Sequence, residues 1–228
     1  MTELATNNYK TLSFDCYGTL IDWERGILDY LMPLLKAHDA HVLDTWLLNF
    51  FSECEPDIQQ EGGNYKSILS RILETLGRRL AFTPSDESKQ GFAASIGHWP
   101  AFPDTVDALN ALAAKFDLAI LSNIDDDLFA LSSVHLQAQF KQVITAEQVG
   151  FYKPAPEMFD RLIELADGPI LHVAQSRYHD INAAHAKGLD TVWINRPSLG
   201  AAKNVEANPT WTFTSMADFS SAILGRPS

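Results

Sequence analysis

Short apolar runs alternate with helical patterns over most of the chain from residue 100 onwards. The runs DLAILSN (117–123), ILHVAQS (170–176) and TVWINR (191–196) each predict a strand, and TLSFD (11–15) predicts one more near the start. Between them, stretches such as PEMFDRLIELA (156–166) place apolar residues three and four positions apart, which is typical of a helix packed on one side. Strands that alternate with helices of about 10 to 15 residues form right-handed βαβ units, so the sequence predicts an α/β fold with a Rossmann-like parallel sheet.

Residues 23–99 interrupt that alternation. The stretches GILDYLMPLLKAH, VLDTWLLNFFSECE and NYKSILSRILETLGRRL all carry helical spacing, and no strand pattern lies between them. We therefore predict a core domain of residues 1–22 and 100–228, with a helical domain of residues 23–99 inserted after the first strand. Residues 200–228 predict a loop, a short strand and a closing helix.

Charge and cysteine content exclude several classes of protein. The 228 residues carry a formal net charge of −12, which opposes binding to nucleic acid or to an anionic membrane. No 18-residue apolar run and no basic leader followed by an apolar stretch is visible, so we expect a cytoplasmic protein. Cys16 and Cys54 are the only cysteines and predict neither a disulfide framework nor a thiolate zinc site. We expect Cys16 to be a packing residue.

Polar side chains follow the predicted strands where each strand ends. The groups are Asp15 with Thr19, Ser122 with Asn123, Lys153 beyond ITAEQVGFY, and the segment from Ser176 to Asp180. Such residues also serve as turn and helix-capping residues. Because ligands of open parallel sheets bind beyond the carboxyl ends of the strands, the four groups together predict a site.

The same segments carry a resemblance to a known family. FDCYGTLID, LSN, YKP and AQSRYHD resemble the four motifs of the haloacid dehalogenase superfamily, in order, and the resemblance extends over essentially the whole chain. The helical insertion would then be the cap domain of that fold. D-x-Y-G-T-L-x-D-W and the ending TVWINR resemble the L-2-haloacid dehalogenase branch, which also includes enzymes similar to L-azetidine-2-carboxylate hydrolase.

The resemblance implies covalent catalysis by Asp15. This carboxylate would attack C2 of the substrate to form an aspartyl ester, which water then hydrolyses. Lys153 would keep Asp15 ionised. Thr19, Ser122 and Asn123 would orient it and stabilise charge during ester hydrolysis. Asp180 would orient Lys153 or help to activate water, or it is only a carboxylate at a helix N-terminus.

A second set of residues is predicted to bind the substrate: Tyr17, Trp23, Trp46, Phe50, Ser176 and Arg177. Trp46 and Phe50, like Phe51, Tyr65 and Trp99, either form an apolar wall over Asp15 or belong to the core, whereas Trp23 follows the first motif directly and should lie at the entrance. His179 lies within a motif. The other histidines show no metal-ligand spacing and are expected to be structural: His38, His41, His98, His135, His172 and His185.

Tyr17 argues against phosphatase chemistry. Most members of the superfamily are phosphatases whose first motif reads D-x-D, where the second aspartate protonates the leaving alkoxide. A halide leaves as a stable anion and needs no proton, so Tyr17 at that position favours a dehalogenase. Two carboxylates are also a poor ligand set for magnesium. We therefore expect a site without metal or cofactor.

The sequence departs from the branch pattern at three positions. DTWLLNFFSECE contains no basic residue where a substrate-binding arginine is usual, Phe159 replaces a tyrosine, and Arg177 replaces an asparagine. Arg177 either supplies the missing cation for a substrate carboxylate or is a surface residue. An acidic or aromatic pocket would suit a ring ammonium instead.

The predicted function is (S)-2-haloacid dehalogenase acting on a small-molecule carboxylate. The alternatives are an L-azetidine-2-carboxylate ring-opening hydrolase, a magnesium-dependent phosphatase of small metabolites, and a non-catalytic ligand-binding member. A homodimer is also expected from the resemblance.

Overall fold

A computed structural model describes residue 4, residues 8–199 and residues 205–225. Within these residues, six strands form one parallel sheet in the order β3-β2-β1-β4-β5-β6. The strands are β1 (Thr11–Phe14), β2 (Asp117–Ser122), β3 (Gln142–Thr145), β4 (Ile170–Ala174), β5 (Asp190–Ile194) and β6 (Trp211–Phe213). The predicted α/β fold with a parallel sheet is confirmed.

Helices fill the long insertion and the connections between strands. The insertion contains α1 (Trp23–Ala37), α2 (Asp44–Gln60), α3 (Tyr65–Leu80), α4 (Asp86–Ala94) and a 3₁₀ turn (Ser95–His98). The remaining helices are α5 (Thr105–Ala113), α6 (Asp126–Leu136), α7 (Ala146–Val149), α8 (Pro156–Leu165), α9 (Asn182–Ala186) and α10 (Met216–Ile223), with a π-helical turn (Arg177–Ile181) before α9. Side-chain caps fix several starts: the Asp22 carboxylate accepts from Arg25 N–H at 3.1 Å and begins α1.

The central strands are buried along their whole length. Every residue of β1 and β4 is buried, as expected of parallel strands that helices cover on both faces. The third strand spans only four residues. It ends at Thr145, whose hydroxyl accepts from Gln148 N–H at 3.2 Å and so begins α7.

The insertion leaves and rejoins the core at one place. Ile21 and Ala101 form an antiparallel bridge, Asp22 N–H donates to the Pro100 carbonyl at 2.8 Å, and Phe102 N–H donates to the Leu20 carbonyl at 3.0 Å. One continuous hydrophobic cluster includes both β1 and helices α1, α3 and α4 of the insertion. The division into two domains at residues 22/23 and 99/100 stays a prediction.

Two further expectations concern the chain ends and membranes. The expected absence of a leader and the predicted loop at residue 200 fall largely on residues outside the described range, whereas the strand and closing helix predicted after them are β6 and α10. Among the described helices, none combines the length and the apolar character needed to cross a bilayer.

Candidate active site

The polar strand ends meet at the carboxyl edge of the sheet. Asp15 follows β1 directly, and its N–H donates to the Val173 carbonyl of β4 at 3.1 Å. The chain then turns sharply at Gly18, which has φ +99°. A Cβ there would lie 3.2 Å from the indole nitrogen of Trp23, so the turn needs glycine both for its backbone angle and for space.

Asp15 is held by two side chains. Its Oδ1 accepts from Lys153 Nζ at 2.9 Å and its Oδ2 from the Thr19 hydroxyl at 2.7 Å. The side chain is only 10% exposed. Lys153 Nζ also donates to Asp180 Oδ1 at 2.7 Å and to the Leu121 carbonyl at 2.8 Å, so each of the three ammonium protons has an acceptor.

One ammonium therefore faces two carboxylates, and the three pKa values respond differently. Burial raises the pKa of Asp15, the Asp180 charge adds to this, and Lys153 opposes it. Burial would also raise the pKa of Asp180, but Lys153 and His172 outweigh it and hold that pKa at about 2. Burial lowers the pKa of Lys153, yet the two carboxylates bring it above its usual value. The cluster keeps Lys153 charged and makes Asp15 the more basic carboxylate.

The side chain of Asp180 contacts a buried histidine. His172 Nε2 lies 3.0 Å from Asp180 Oδ1, and His172 Nδ1 lies 2.6 Å from the Ser13 hydroxyl. His172 and Ser13 are fully buried. Asp180 Oδ2 and the Ser122 hydroxyl are buried and have no hydrogen-bond partner among the described residues.

Asn123 contacts the backbone of Lys153. Its Oδ1 accepts from Lys153 N–H at 2.6 Å, and its Nδ2 donates to the Lys153 carbonyl at 3.1 Å. Both polar atoms of the amide are thus engaged by the loop that carries Lys153, and the role of Asn123 in orienting Asp15 stays a prediction. Thr19 contacts Asp15 as predicted and also accepts from Gln175 N–H at 2.9 Å.

A cavity of about 380 Å³ opens above Asp15, between the sheet edge and the insertion. It brings together most of the predicted site residues, which are Asp15, Tyr17, Trp23, Ser122, Asn123, Lys153, Ser176, Arg177 and Asp180. His179, Phe51, Tyr65 and Trp99 line it as well.

Two of the predicted substrate-binding residues lie elsewhere. Trp46 and Phe50 do not line the cavity and instead stack on each other, with ring centroids 5.5 Å apart. Each residue of a helix is rotated by about 100° from the previous one, so only one face of α2 reaches the cavity. That face carries Phe51, Glu55 and Gln59.

Several cavity residues were not predicted, and Glu55 is the most informative of them. Its Oε1 accepts from the Tyr65 hydroxyl at 2.5 Å. The apolar spacing of Leu47, Leu48 and Phe51 marks the buried face of α2, and an acidic residue on that face was the signal that could have identified Glu55. The other cavity residues that were missed are Ser52, Pro56, Gln59, Gln175, Tyr178, Trp193, Asn195, Arg196 and Ser198.

Tyr17 keeps its hydroxyl occupied away from Asp15. The hydroxyl is 2.8 Å from that of Ser132 in α6, and the ring packs edge-on against Trp99 at 5.8 Å. Burial raises the pKa of Tyr17 well above its ordinary value, so the phenol stays neutral. It supplies a neutral wall where a D-x-D motif would place a second carboxylate.

Arg177 lies in the cavity wall. Its guanidinium is 4.9 Å from the ring centroid of Trp193, whose indole N–H donates to the Gln175 carbonyl at 2.9 Å. A second arginine, Arg196, donates to the Thr19 carbonyl at 3.1 Å and to Asp104 Oδ1 at 2.8 Å. The cavity therefore has two guanidinium groups on the sheet side and a carboxylate on the α2 side.

Phe159 and Cys16 do not line the cavity. Phe159 is fully buried and packs edge-on against His172 at 5.5 Å, so the residue at the position of the expected tyrosine does not line the cavity. Cys16 is buried in the hydrophobic cluster. Across the part of the chain that the structure describes, no group of three or more His, Cys, Asp or Glu side chains is arranged to hold a metal ion.

Known proteins match the chain in sequence and in fold. The family model of haloacid dehalogenase-like hydrolases matches residues 9–174. (S)-2-haloacid dehalogenase 1 of Pseudomonas sp. (strain CBS-3) is 28% identical over 196 residues, which cover 80% of this chain and 83% of that protein. Pyrimidine 5'-nucleotidase YjjG of Escherichia coli (strain K12) is 27% identical over 153 residues, or 63% of this chain and 66% of that protein.

Among solved structures, the L-2-haloacid dehalogenase of Xanthobacter autotrophicus with chloropropionic acid covalently bound has the same fold. Its TM-score is 0.79 at 18% identity, over 96% of this chain and 99% of that one.

Proposed function

We propose, from the premise that the chain belongs to the haloacid dehalogenase-like hydrolases, that it is an (S)-2-haloacid dehalogenase with Asp15 as nucleophile. The observation that carries the proposal is the setting of this carboxylate. Asp15 lies at the base of a cavity with Lys153 on one oxygen and Thr19 on the other. A buried carboxylate that is held at both oxygens and has a raised pKa is oriented, lightly solvated and basic, which favours nucleophilic attack.

The chemistry needs two displacements. In the first, an Asp15 oxygen forms a bond to C2 of the 2-haloacid as the carbon–halogen bond breaks and the halide leaves with the electron pair. In the second, water attacks the ester carbonyl of Asp15 and the ester carbon–oxygen bond breaks. One water proton goes to the departing 2-hydroxyacid, and the other is released to solvent as the Asp15 carboxylate is regenerated. Arg177, at the cavity wall, is suited to the substrate carboxylate.

The remaining groups have roles that follow from their contacts. Lys153 offsets the charge of Asp15, and Asn123 fixes the backbone that carries Lys153. The Ser122 hydroxyl is buried beside the cavity and has no hydrogen-bond partner among the described residues. Asp180 accepts a proton from the water that hydrolyses the Asp15 ester. Trp23, Phe51 and Trp99 form the apolar wall.

Halide release from the two enantiomers of 2-chloropropionate, without added metal, tests the proposal. We expect release from the (S)-enantiomer, no release by Asp15→Asn, and normal release by Asp107→Asn, a matched change on the exposed surface of α5. A single turnover in H₂¹⁸O should place the label in Asp15 rather than in the product, because the hydroxyl oxygen of the product comes from the enzyme. Label in the product of the first turnover would contradict the covalent route.

A second candidate function is the ring opening of L-azetidine-2-carboxylate, and Glu55 favours it. The α2 wall of the cavity presents a carboxylate and no basic residue, which suits a ring ammonium better than it suits a simple haloacid anion. Here Asp15 would attack C2 as the C2–N bond breaks, and the ring nitrogen would leave as the amine.

Glu55→Gln discriminates the two candidates. The loss of one negative charge from the cavity should lower the KM of a haloacid monoanion and raise the KM of a substrate with an ammonium group. Glu53→Gln, on the exposed face of the same helix, is the control. A magnesium-dependent phosphatase or a non-catalytic binder would instead show no metal-free turnover of either substrate. Of these two, only the phosphatase would hydrolyse a phosphate ester when magnesium is added.

The expected cytoplasmic location and homodimer stay predictions. Light scattering of the purified protein tests whether it is a homodimer.

A further inference from the structure

A buried serine–histidine pair lies directly beneath the site. The side chain of His172, on β4, bridges Ser13 on β1 and Asp180 at the end of the π-helical turn. His172 is fully buried, and a polar ring in such a place is retained only when its nitrogens are hydrogen-bonded. Both ring nitrogens have partners here, so the pair is an organised element of the core.

The contacts define the direction of the hydrogen bonds. Asp180 is ionised, so it can only accept, and His172 Nε2 must carry the hydrogen that it donates. In the neutral ring, Nδ1 then accepts from the Ser13 hydroxyl. Asp180 therefore fixes the tautomer of the ring, and Ser13 helps to hold its orientation.

The same contacts restrict the Asp180 carboxylate. Oδ1 accepts both from Lys153 at 2.7 Å and from His172 at 3.0 Å. Lys153 divides its three donors among Asp15, Asp180 and the Leu121 carbonyl, so His172 supplies a second hydrogen bond that restricts the Asp180 carboxylate. The second oxygen, Oδ2, is the one left without a partner among the described residues, on a side chain that lines the cavity.

We propose that His172, fixed by Ser13, is a positioning residue that orients Asp180 so that Oδ2 accepts the proton of the water that hydrolyses the Asp15 ester. The inference rests on the proposed function and assigns His172 to the second displacement only. In that step, the water oxygen bonds to Asp15 Cγ, one water proton passes to Asp180 Oδ2, and that proton then goes to the departing product oxygen as the ester bond breaks. The second water proton is released to solvent as Asp15 returns to the carboxylate form.

The test separates the two displacements. His172→Phe combined with Ser13→Ala removes the donor without burying an unpaired hydroxyl, and His172→Gln keeps a donor at the Nε2 position. Each variant is mixed with (S)-2-chloropropionate, quenched in acid and analysed by mass spectrometry for the Asp15 ester, while halide release is followed in parallel. His185→Gln, at an exposed histidine of α9, is the control.

We expect the double variant to form the ester at a nearly unchanged rate and to hydrolyse it about 10- to 100-fold more slowly, the effect of losing one hydrogen bond to a charged group. The ester should then accumulate at steady state, with a burst of halide. His172→Gln should restore most of the hydrolysis. A purely structural role would lower the melting temperature but would not change the partition between the two steps.

Two other outcomes are decisive in the opposite direction. If both steps slow equally, or the ester does not accumulate although wild type forms it, the role of His172 is wrong and the proposed function stands. If wild type forms no ester with either 2-chloropropionate or L-azetidine-2-carboxylate, the proposed function fails, and the role of His172 fails with it.

Discussion

At the scale of single residues, the shared ammonium determines how Asp15 titrates. A protonated Asp15 cannot attack, so ester formation is lost as the pH falls through the pKa of this group. Because burial and the nearby Asp180 charge raise that pKa, the acidic limb should lie above the value of about 3.9 that is usual for aspartate. The pH dependence of ester formation, measured by rapid quench, gives the midpoint directly.

Asp180→Asn removes the neighbouring negative charge and should move the acidic limb to lower pH, whereas Asp107→Asn should not move it. A shift of the acidic limb to higher pH in Asp180→Asn would contradict the proposed effect of the Asp180 charge.

Sequence reasoning identified Asp15, Lys153 and Asp180 because each stands at a motif position after a strand. It did not predict that Asn123 bonds the backbone of Lys153, and it assigned His172 a structural role without its partners. The partner of His172 is Ser13, which is 159 positions away on the neighbouring strand, and nothing in the local sequence around either residue signals that contact. Strand pairing had to be known first.

At the scale of elements, α2 presents one face to the cavity and carries the stacked Trp46 and Phe50 on another. Phe51→Leu should raise the KM several-fold because it shortens the apolar wall, and Phe50→Leu should leave the KM nearly unchanged because that ring stacks on Trp46 outside the cavity. Steady-state kinetics on the two variants check this directly. Equal effects would mean that α2 presents a different face.

The helix itself could be predicted from its periodicity. The rotation of α2 about its own axis decides whether Phe50 or Phe51 faces the cavity, and that rotation depends on packing against other helices.

Asp104 joins three elements. It stands at the N-cap position of α5, but its side chain makes no bond to that helix. Oδ2 accepts from the N–H groups of Met216 and Ala217 at 2.7 and 3.2 Å, and so begins α10, while Oδ1 accepts from Arg196.

Asp104→Ala should therefore cost about 1 to 2 kcal/mol of unfolding free energy, as the loss of a helix cap does. Asp104→Asn, which keeps one acceptor oxygen, should cost less. Urea unfolding followed by circular dichroism gives both values, and equal losses would argue that the charge rather than the cap is what matters.

At the scale of the whole molecule, the hydrophobic cluster joins the sheet to the insertion. Leu12 and Phe14 of β1 belong to the same cluster as Ile27, Leu69 and Phe92 of the insertion. We therefore expect a single cooperative unfolding transition. Hydrogen–deuterium exchange in increasing urea, resolved into peptides from residues 23–99 and from the sheet, should give coincident midpoints. Earlier opening of the insertion would show that it is an independent unit.

The architecture was largely predictable because alternating strands and helices allow few topologies. The position of the helical insertion in the chain was also clear. What the sequence did not reveal is how closely the two parts share one core, since an apolar residue such as Phe92 has the same local pattern whether it packs inside the insertion or against the sheet.

The bridge between Ile21 and Ala101 has an evolutionary consequence. Because the chain departs and returns at neighbouring backbone positions, the insertion can change in length or sequence without altering the register of any strand. Asp15, Lys153 and Asp180 all come from outside it. A lineage with this design can therefore change the α2 wall of the cavity through mutations in residues 23–99 while it inherits the proposed reactive centre intact, provided that the apolar side chains facing the sheet are retained.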